Sequence, residues 1–92
     1  MSSSEADTDP VVRDLREQIA AADLTLLEAV NRRVELVRRL KEHNAAHGLD
    51  FVDQAQEERL VERLAGANRG PLSANGLREL YRALLDLTKR EA

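Results

Sequence analysis

The sequence predicts an all-α protein of three helices, long, short and medium, intertwined as a homodimer. No strand-like alternation occurs, and apolar residues instead recur at helical spacing. Helix-start signals separate three such segments, at Asp9-Pro10, Asp53 and Ser73. The chain has 92 residues, 42% of them hydrophobic, with one Tyr and one Phe, so a monomeric core would be small. A second copy is therefore expected to complete it.

Charge and composition divide the chain into a tail and a domain. Residues 1–9 are small, polar and acidic, which predicts a disordered tail, and residues 10–92 form a single helical domain. Three of the 17 acidic residues lie in the tail, and the other 14 match the 14 Lys and Arg residues. The formal net charge of −3 thus belongs to the tail. A neutral domain argues against nucleic acid as a partner.

Several classes of protein are excluded by what the sequence lacks. No apolar run approaches the roughly 20 residues of a membrane span, and the first residues do not resemble a signal peptide, so we expect a cytoplasmic protein without membrane contact. The absence of Cys excludes thiol catalysis and cysteine-ligated zinc. His43 and His47 lack further ligands, so no metal site is expected. No phosphate loop or nucleophilic triad occurs, and no cofactor is expected.

The first helix is predicted from Pro10 to about Ala46, without an internal Pro or Gly. Its apolar positions follow a heptad along two lines, Val12, Ile19, Leu26 and Leu40, and Leu15, Ala22, Ala29 and Leu36. At 1.5 Å per residue this helix is roughly 54 Å long. The remaining chain is too short to cover such a helix, which favours a partner copy.

Two shorter helices follow after Gly48. The second is predicted from Asp53 to about Ala65, with an inward line of Glu57, Leu60, Val61 and Leu64. Residues 66–71 form a loop by composition. The third begins after Ser73, and its inward stripe is Leu77, Leu80, Tyr81, Leu84, Leu85 and Thr88.

Polar residues on these apolar stripes are the candidate functional residues. Arg33 lies on the Ile19 line, and a buried arginine without an anion costs several kcal/mol. It could pair with Glu57 or Asp53, extend to solvent, or bind an anionic ligand. Glu57 and Thr88 continue apolar faces, and Asn44 lies about three turns after Arg33. Together these residues predict a polar cavity in a helical core, a common ligand site.

The motifs around these positions resemble a known family. The run Leu15-Arg-Glu-Gln-Ile19, followed by Ala22-Asp23, Leu26-Leu27, Arg32-Arg33 and Glu35-Leu36, resembles the first helix of the all-helical chorismate mutases. Val52-Asp53, Glu57 and Val61-x-x-Leu64 resemble that family's second helix. The resemblance spans residues 11 to about 90.

The resemblance implies an intertwined homodimer that catalyses the Claisen rearrangement of chorismate to prephenate, without nucleophile, metal or cofactor. It also implies residue roles. Arg16, which the pattern alone makes a solvated arginine, would be donated to the partner's site, and Arg33 would bind a substrate carboxylate. Asp53 and Glu57 would lie beside the C4 substituent. Thr88 would replace a serine that contacts a carboxylate.

Departures from the family pattern concern the substrate. Asn44 stands where the family has a lysine that bonds the ether oxygen, Gln56 where it has an arginine, and Ala92 near a family glutamine. Losing such a donor typically costs ~10²–10³ in rate. Because Asn44 and Gln56 are neutral, the site has fewer cations beside Asp53 and Glu57 than the family pattern. This suits a substrate that carries an ammonium at C4. We therefore hypothesise a mutase of 4-amino-4-deoxychorismate in secondary metabolism, with Arg33, Asn44, Gln56 and Glu57 as its catalytic residues.

Two alternatives remain open at this point. One is an ordinary chorismate mutase of aromatic amino acid biosynthesis, of low activity or activated by a partner enzyme. The other is a non-catalytic helical dimerisation module in which Glu57 neutralises Arg33. A third relative, isochorismate pyruvate lyase, normally keeps a lysine where this chain has Asn44, and is disfavoured.

Overall fold

The computed structural model describes residues 9–51 and 53–92 and contains three helices. These are α1 (Pro10–Ala46), α2 (Gln54–Ala67) and α3 (Ala74–Glu91). No strand occurs in these ranges, so the predicted all-α class and the long-short-medium order are confirmed. None of the three helices is both long enough and apolar enough to cross a membrane. Apart from Asp9, the predicted tail lies outside the described residues.

Each helix begins at the capping residue that the sequence predicts. The side chains of Asp9, Asp53 and Ser73 accept hydrogen bonds of 2.8 to 3.2 Å from backbone N–H groups two or three residues later. These N–H groups have no partner within their own helix, so the caps satisfy donors that would otherwise be unpaired. The three predicted helix starts are confirmed.

The end of α1 is fixed by Gly48. Its φ of +65° is in the left-handed region, which glycine adopts without a steric penalty. The N–H of Leu49 donates to the carbonyl of Asn44 at 2.8 Å, and that of Gly48 donates to Ala45 at 3.5 Å. This pair of bonds is a Schellman motif. It turns the chain from α1 toward α2, and confirms Gly48 as the predicted end.

The second helix is two residues longer than predicted. It ends at Ala67 rather than Ala65, so Gly66 is helical. The N–H of Asn68 still donates to the carbonyl of Leu64, at 2.9 Å, which continues the helical bonding pattern past the glycine. A single glycine lowers helix propensity without forcing a helix to end.

The chain divides into two compact units, residues 1–32 and 33–92, with the boundary inside α1. In the first unit Val12 and Val30 are partly exposed, and six other large apolar side chains are each more than half exposed. These six are Val11, Leu15, Ile19, Leu24, Leu26 and Leu27. Three of these, Leu15, Ile19 and Leu26, belong to the predicted heptad lines. The apolar seam of this part of α1 is therefore uncovered in the single chain.

The core of the second unit lies on α3, which packs against α2. The buried side chains among the described residues are Leu77, Leu85 and Thr88, all on the predicted inward stripe. Leu80 belongs to the same stripe but is 46% exposed, because the stripe is wider than the face that one neighbouring helix covers. The stripe prediction is therefore confirmed at its start, Leu77, and at its end, Leu85 and Thr88.

The cap of α3 gives a stability test. Ser73→Ala removes the acceptor for the Gly76 N–H and should lower the free energy of unfolding by about 1 kcal/mol. Ser73→Asp keeps an acceptor and should stay near wild type. Urea denaturation followed by circular dichroism measures both. Equal stability of all three proteins would show that the cap contributes nothing.

Candidate active site

The second unit contains a cavity of about 540 Å³, a size typical of small-molecule sites. Its walls come from the C-terminal part of α1, the following loop, α2 and the end of α3. The apolar lining residues are Val37, Leu40, Phe51, Leu60 and Leu85. The polar lining residues are Arg33, Asn44, Asp50, Asp53, Gln56, Glu57, Arg59, Arg63 and Lys89. An apolar wall with converging charged groups suits a small charged ligand.

Arg33 is held at the cavity wall by Thr88. Its Nη1 donates to the Thr88 hydroxyl, which is fully buried. That hydroxyl in turn donates to the carbonyl of Leu84 at 2.9 Å. A guanidinium has five N–H donors, so the bond to Thr88 orients Arg33 and leaves donors for an anion in the cavity. Arg33 therefore faces the cavity, on the inward face of α1 that the sequence predicts.

Thr88 lies behind Arg33, outside the described lining of the cavity. The resemblance implies a direct contact between this residue and a substrate carboxylate. In the structure the Thr88 hydroxyl accepts from Arg33 and lies within donating distance of two carbonyls of its own helix, Leu84 at 2.9 Å and Leu85 at 3.3 Å. The structure thus has Thr88 bonded to Arg33, and its contact with a substrate carboxylate stays a prediction.

Glu57 pairs with Lys89 and Arg33 bonds Thr88. The alternative in which Arg33 pairs with Glu57 is therefore not the one found in the structure. Lys89 Nζ lies 2.9 Å from Glu57 Oε1, and the two side chains are 28% and 27% exposed. Glu57 is in the first turn of α2 and Lys89 in the last turn of α3. A helix N-terminus stabilises an anion and a C-terminus a cation, so both helix dipoles support the pair.

Asn44 and Asp53 combine a structural bond with a place in the cavity wall. Asn44 Nδ2 donates to the carbonyl of Asp50 at 3.3 Å, across the turn that follows α1. Asp53 Oδ1 accepts from the N–H of Gln56 at 3.2 Å as the cap of α2. The side-chain oxygen Oδ1 of Asn44 and the Oδ2 of Asp53 are not used in these bonds. Gln56 is exposed and also lines the cavity.

Three cations in the cavity wall were missed by reasoning from the sequence. Arg59 and Arg63 follow Gln56 at spacings of three and seven, which places all three on one face of α2. Lys89 comes four residues after the buried Leu85. Both spacings could have revealed them. The cavity thus has neutral residues at positions 44 and 56, but Arg59, Arg63 and Lys89 supply cations elsewhere in its lining.

The described lining carries a small positive surplus. Its cations are Arg33, Arg59, Arg63 and Lys89, and its carboxylates are Asp50, Asp53 and Glu57. Four positive charges against three negative ones favour an anionic ligand. Arg16 is exposed on α1 in the first unit, and its role stays a prediction.

An all-α fold with an arginine-lined cavity defines a binding site for a small anionic molecule. The family model for chorismate mutase type II matches residues 15–92, so the match includes α2, α3 and all but the first five residues of α1. The chain belongs to the chorismate mutase type II family, and it is an isomerase of the mutase kind. No curated protein and no solved structure matches it significantly. Membership in this enzyme family disfavours the non-catalytic alternative.

The bond between Arg33 and Thr88 gives a test of the site. Thr88→Val removes the acceptor that orients the guanidinium, while Thr88→Ser keeps the hydroxyl. A hydrogen bond to a charged group contributes about 1.5–3 kcal/mol, so the Val variant should bind a bicyclic dicarboxylate transition-state analogue roughly 10- to 100-fold more weakly. Titration calorimetry measures this. Equal affinity in the Val and Ser variants would refute the positioning role.

Proposed function

We propose that this mutase acts on 4-amino-4-deoxychorismate and converts it to 4-amino-4-deoxyprephenate. In the rearrangement the ether C–O bond to the ring breaks while the enolpyruvyl methylene carbon bonds the ring carbon that bears the carboxylate. Six electrons shift around a six-membered ring of atoms, and no proton or atom is gained or lost. The protein has to hold the reactive conformer and stabilise the charge that develops on the ether oxygen.

The observation that carries this proposal is the environment of Glu57. Its carboxylate already binds an ammonium group, that of Lys89, through one oxygen. The other Glu57 oxygen and the free oxygen of Asp53 are available to the C4 amino group. Asp53 and Glu57 together balance two positive charges, one from Lys89 and one from the substrate. Further cations at Asn44 and Gln56 would be in excess there.

The roles of the remaining residues follow from placing the C4 amino group beside Asp53 and Glu57. Arg33, oriented by Thr88, binds a substrate carboxylate. Asn44 and Gln56 supply neutral amide donors to the reacting part of the substrate. Chorismate is the second candidate substrate, because the positive surplus of the lining also suits a dianion. The two candidates differ at C4, where an ammonium replaces a hydroxyl.

Turnover of three substrates separates these candidates. Purified protein should convert 4-amino-4-deoxychorismate with a higher kcat/KM than chorismate, and isochorismate should be a poor substrate. Asn44→Lys combined with Gln56→Arg should shift the preference toward chorismate by at least about tenfold, since a unit charge within 8 Å costs roughly 2 kcal/mol or more at an effective dielectric of about 20.

The control is Gln54→Arg, which adds a charge to the same helix at a position outside the lining of this cavity. It should leave the preference unchanged. Wild-type protein that is equally or more efficient on chorismate would refute the amino substrate.

We also propose that the protein is a homodimer in which each Arg16 completes the partner's site. The support is the uncovered seam of Leu15, Ile19 and Leu26 in the first unit. Burying one such side chain stabilises a protein by about 1.5–3 kcal/mol, which gives two copies a strong reason to associate. A symmetric dimer would carry two identical sites.

Subunit mixing tests the donation of Arg16. Arg16→Ala and Arg33→Ala should each be nearly inactive alone. Refolded together, they form mixed dimers in which one site keeps both arginines, so about a quarter of wild-type activity should return with random pairing. If Arg16 served its own chain, both sites of a mixed dimer would stay defective and no activity would return. Analytical ultracentrifugation checks the dimer itself.

A further inference from the structure

A cationic donor stabilises the charge that develops on the ether oxygen more strongly than a neutral amide such as Asn44 or Gln56 does. In a dry site such donors are most effective when they are fixed before the reaction. The described lining offers four cations, and they differ in how they are held. Arg33 is tied to Thr88 and suited to a carboxylate. Arg59 and Arg63 are exposed along α2.

Lys89 differs from these arginines. Its side chain is 28% exposed, and its ammonium lies at the cavity wall, held by Glu57 at 2.9 Å. An ammonium has three N–H donors, and Glu57 Oε1 uses one of them. Lysine is a compact point charge, and the contact with Glu57 fixes this one before the reaction.

We propose that Lys89 is a catalytic residue of this enzyme, whose ammonium, held by Glu57, donates to the ether oxygen of the reacting substrate. Its contact with Glu57 places a cation in the cavity from α3, so the wall at Asn44 on α1 can be neutral. The proposal rests on the mutase activity and holds for either candidate substrate.

The test is Lys89→Met, which removes the ammonium and keeps an unbranched apolar stem. The variant should lose about 10²–10³-fold in kcat, as for other transition-state donors, with a much smaller change in KM. The control is Arg90→Met, which removes the neighbouring exposed cation outside the cavity and should behave as wild type. Circular dichroism establishes that both variants fold. If Lys89→Met does not fold, Lys89→Gln, which can still donate to Glu57, is assayed in its place.

A second change tests whether a cation in the cavity is what matters. Asn44→Lys added to Lys89→Met returns an ammonium to the cavity lining from α1, and should recover at least about tenfold of the lost kcat. An unchanged kcat in Lys89→Met would overturn the proposal. So would a loss that appears in KM alone, or one that Asn44→Lys does not reduce.

Each assay uses whichever substrate the wild-type protein converts. A preference for chorismate would refute the substrate proposal and leave the result for Lys89 standing. Full activity of Lys89→Met on the amino substrate would refute the role of Lys89 and leave the substrate proposal standing.

Discussion

The hydrogen bond from Arg33 to Thr88 is the contact on which the cavity depends. A part-buried guanidinium needs an acceptor, and Thr88 provides one that is completely buried and itself bonded to Leu84. The bond ties the C-terminal part of α1 to α3 within the second unit. It also directs the group best suited to bind a carboxylate. One contact thus serves both the packing of the site and its chemistry.

The reaction class explains why the site consists of charges and amides. A pericyclic rearrangement transfers no proton and forms no bond to the protein, so the residues act by orientation and electrostatics. Helix ends supply part of this field. Asp53 and Glu57 lie at the start of α2, and Lys89 lies at the end of α3, where the dipoles favour their charges. The bond between Glu57 and Lys89 brings these two ends together at the cavity wall.

The length of α1 gives the small chain two different surfaces. Its C-terminal part contributes Arg33 and Asn44 to the cavity, and its N-terminal part presents an apolar seam that is uncovered in the single chain. A core that buries mainly Leu77 and Leu85 is small for 92 residues, as the composition predicts. Association through the seam would add apolar burial that the second unit lacks.

The sequence by itself determined the helices and the inward-facing polar residues. Capping by Asp9, Asp53 and Ser73, and the glycine that ends α1, act within a few residues, so local patterns reveal them. Heptad spacing likewise put Arg33 on the inward face of α1, and the apolar stripe of α3 put Thr88 on the inward face of that helix. Only the tertiary structure decided that Arg33 bonds Thr88, 55 residues away, and that Glu57 bonds Lys89. Periodicity gives the face of each helix, but the partner across the cavity depends on how the helices pack.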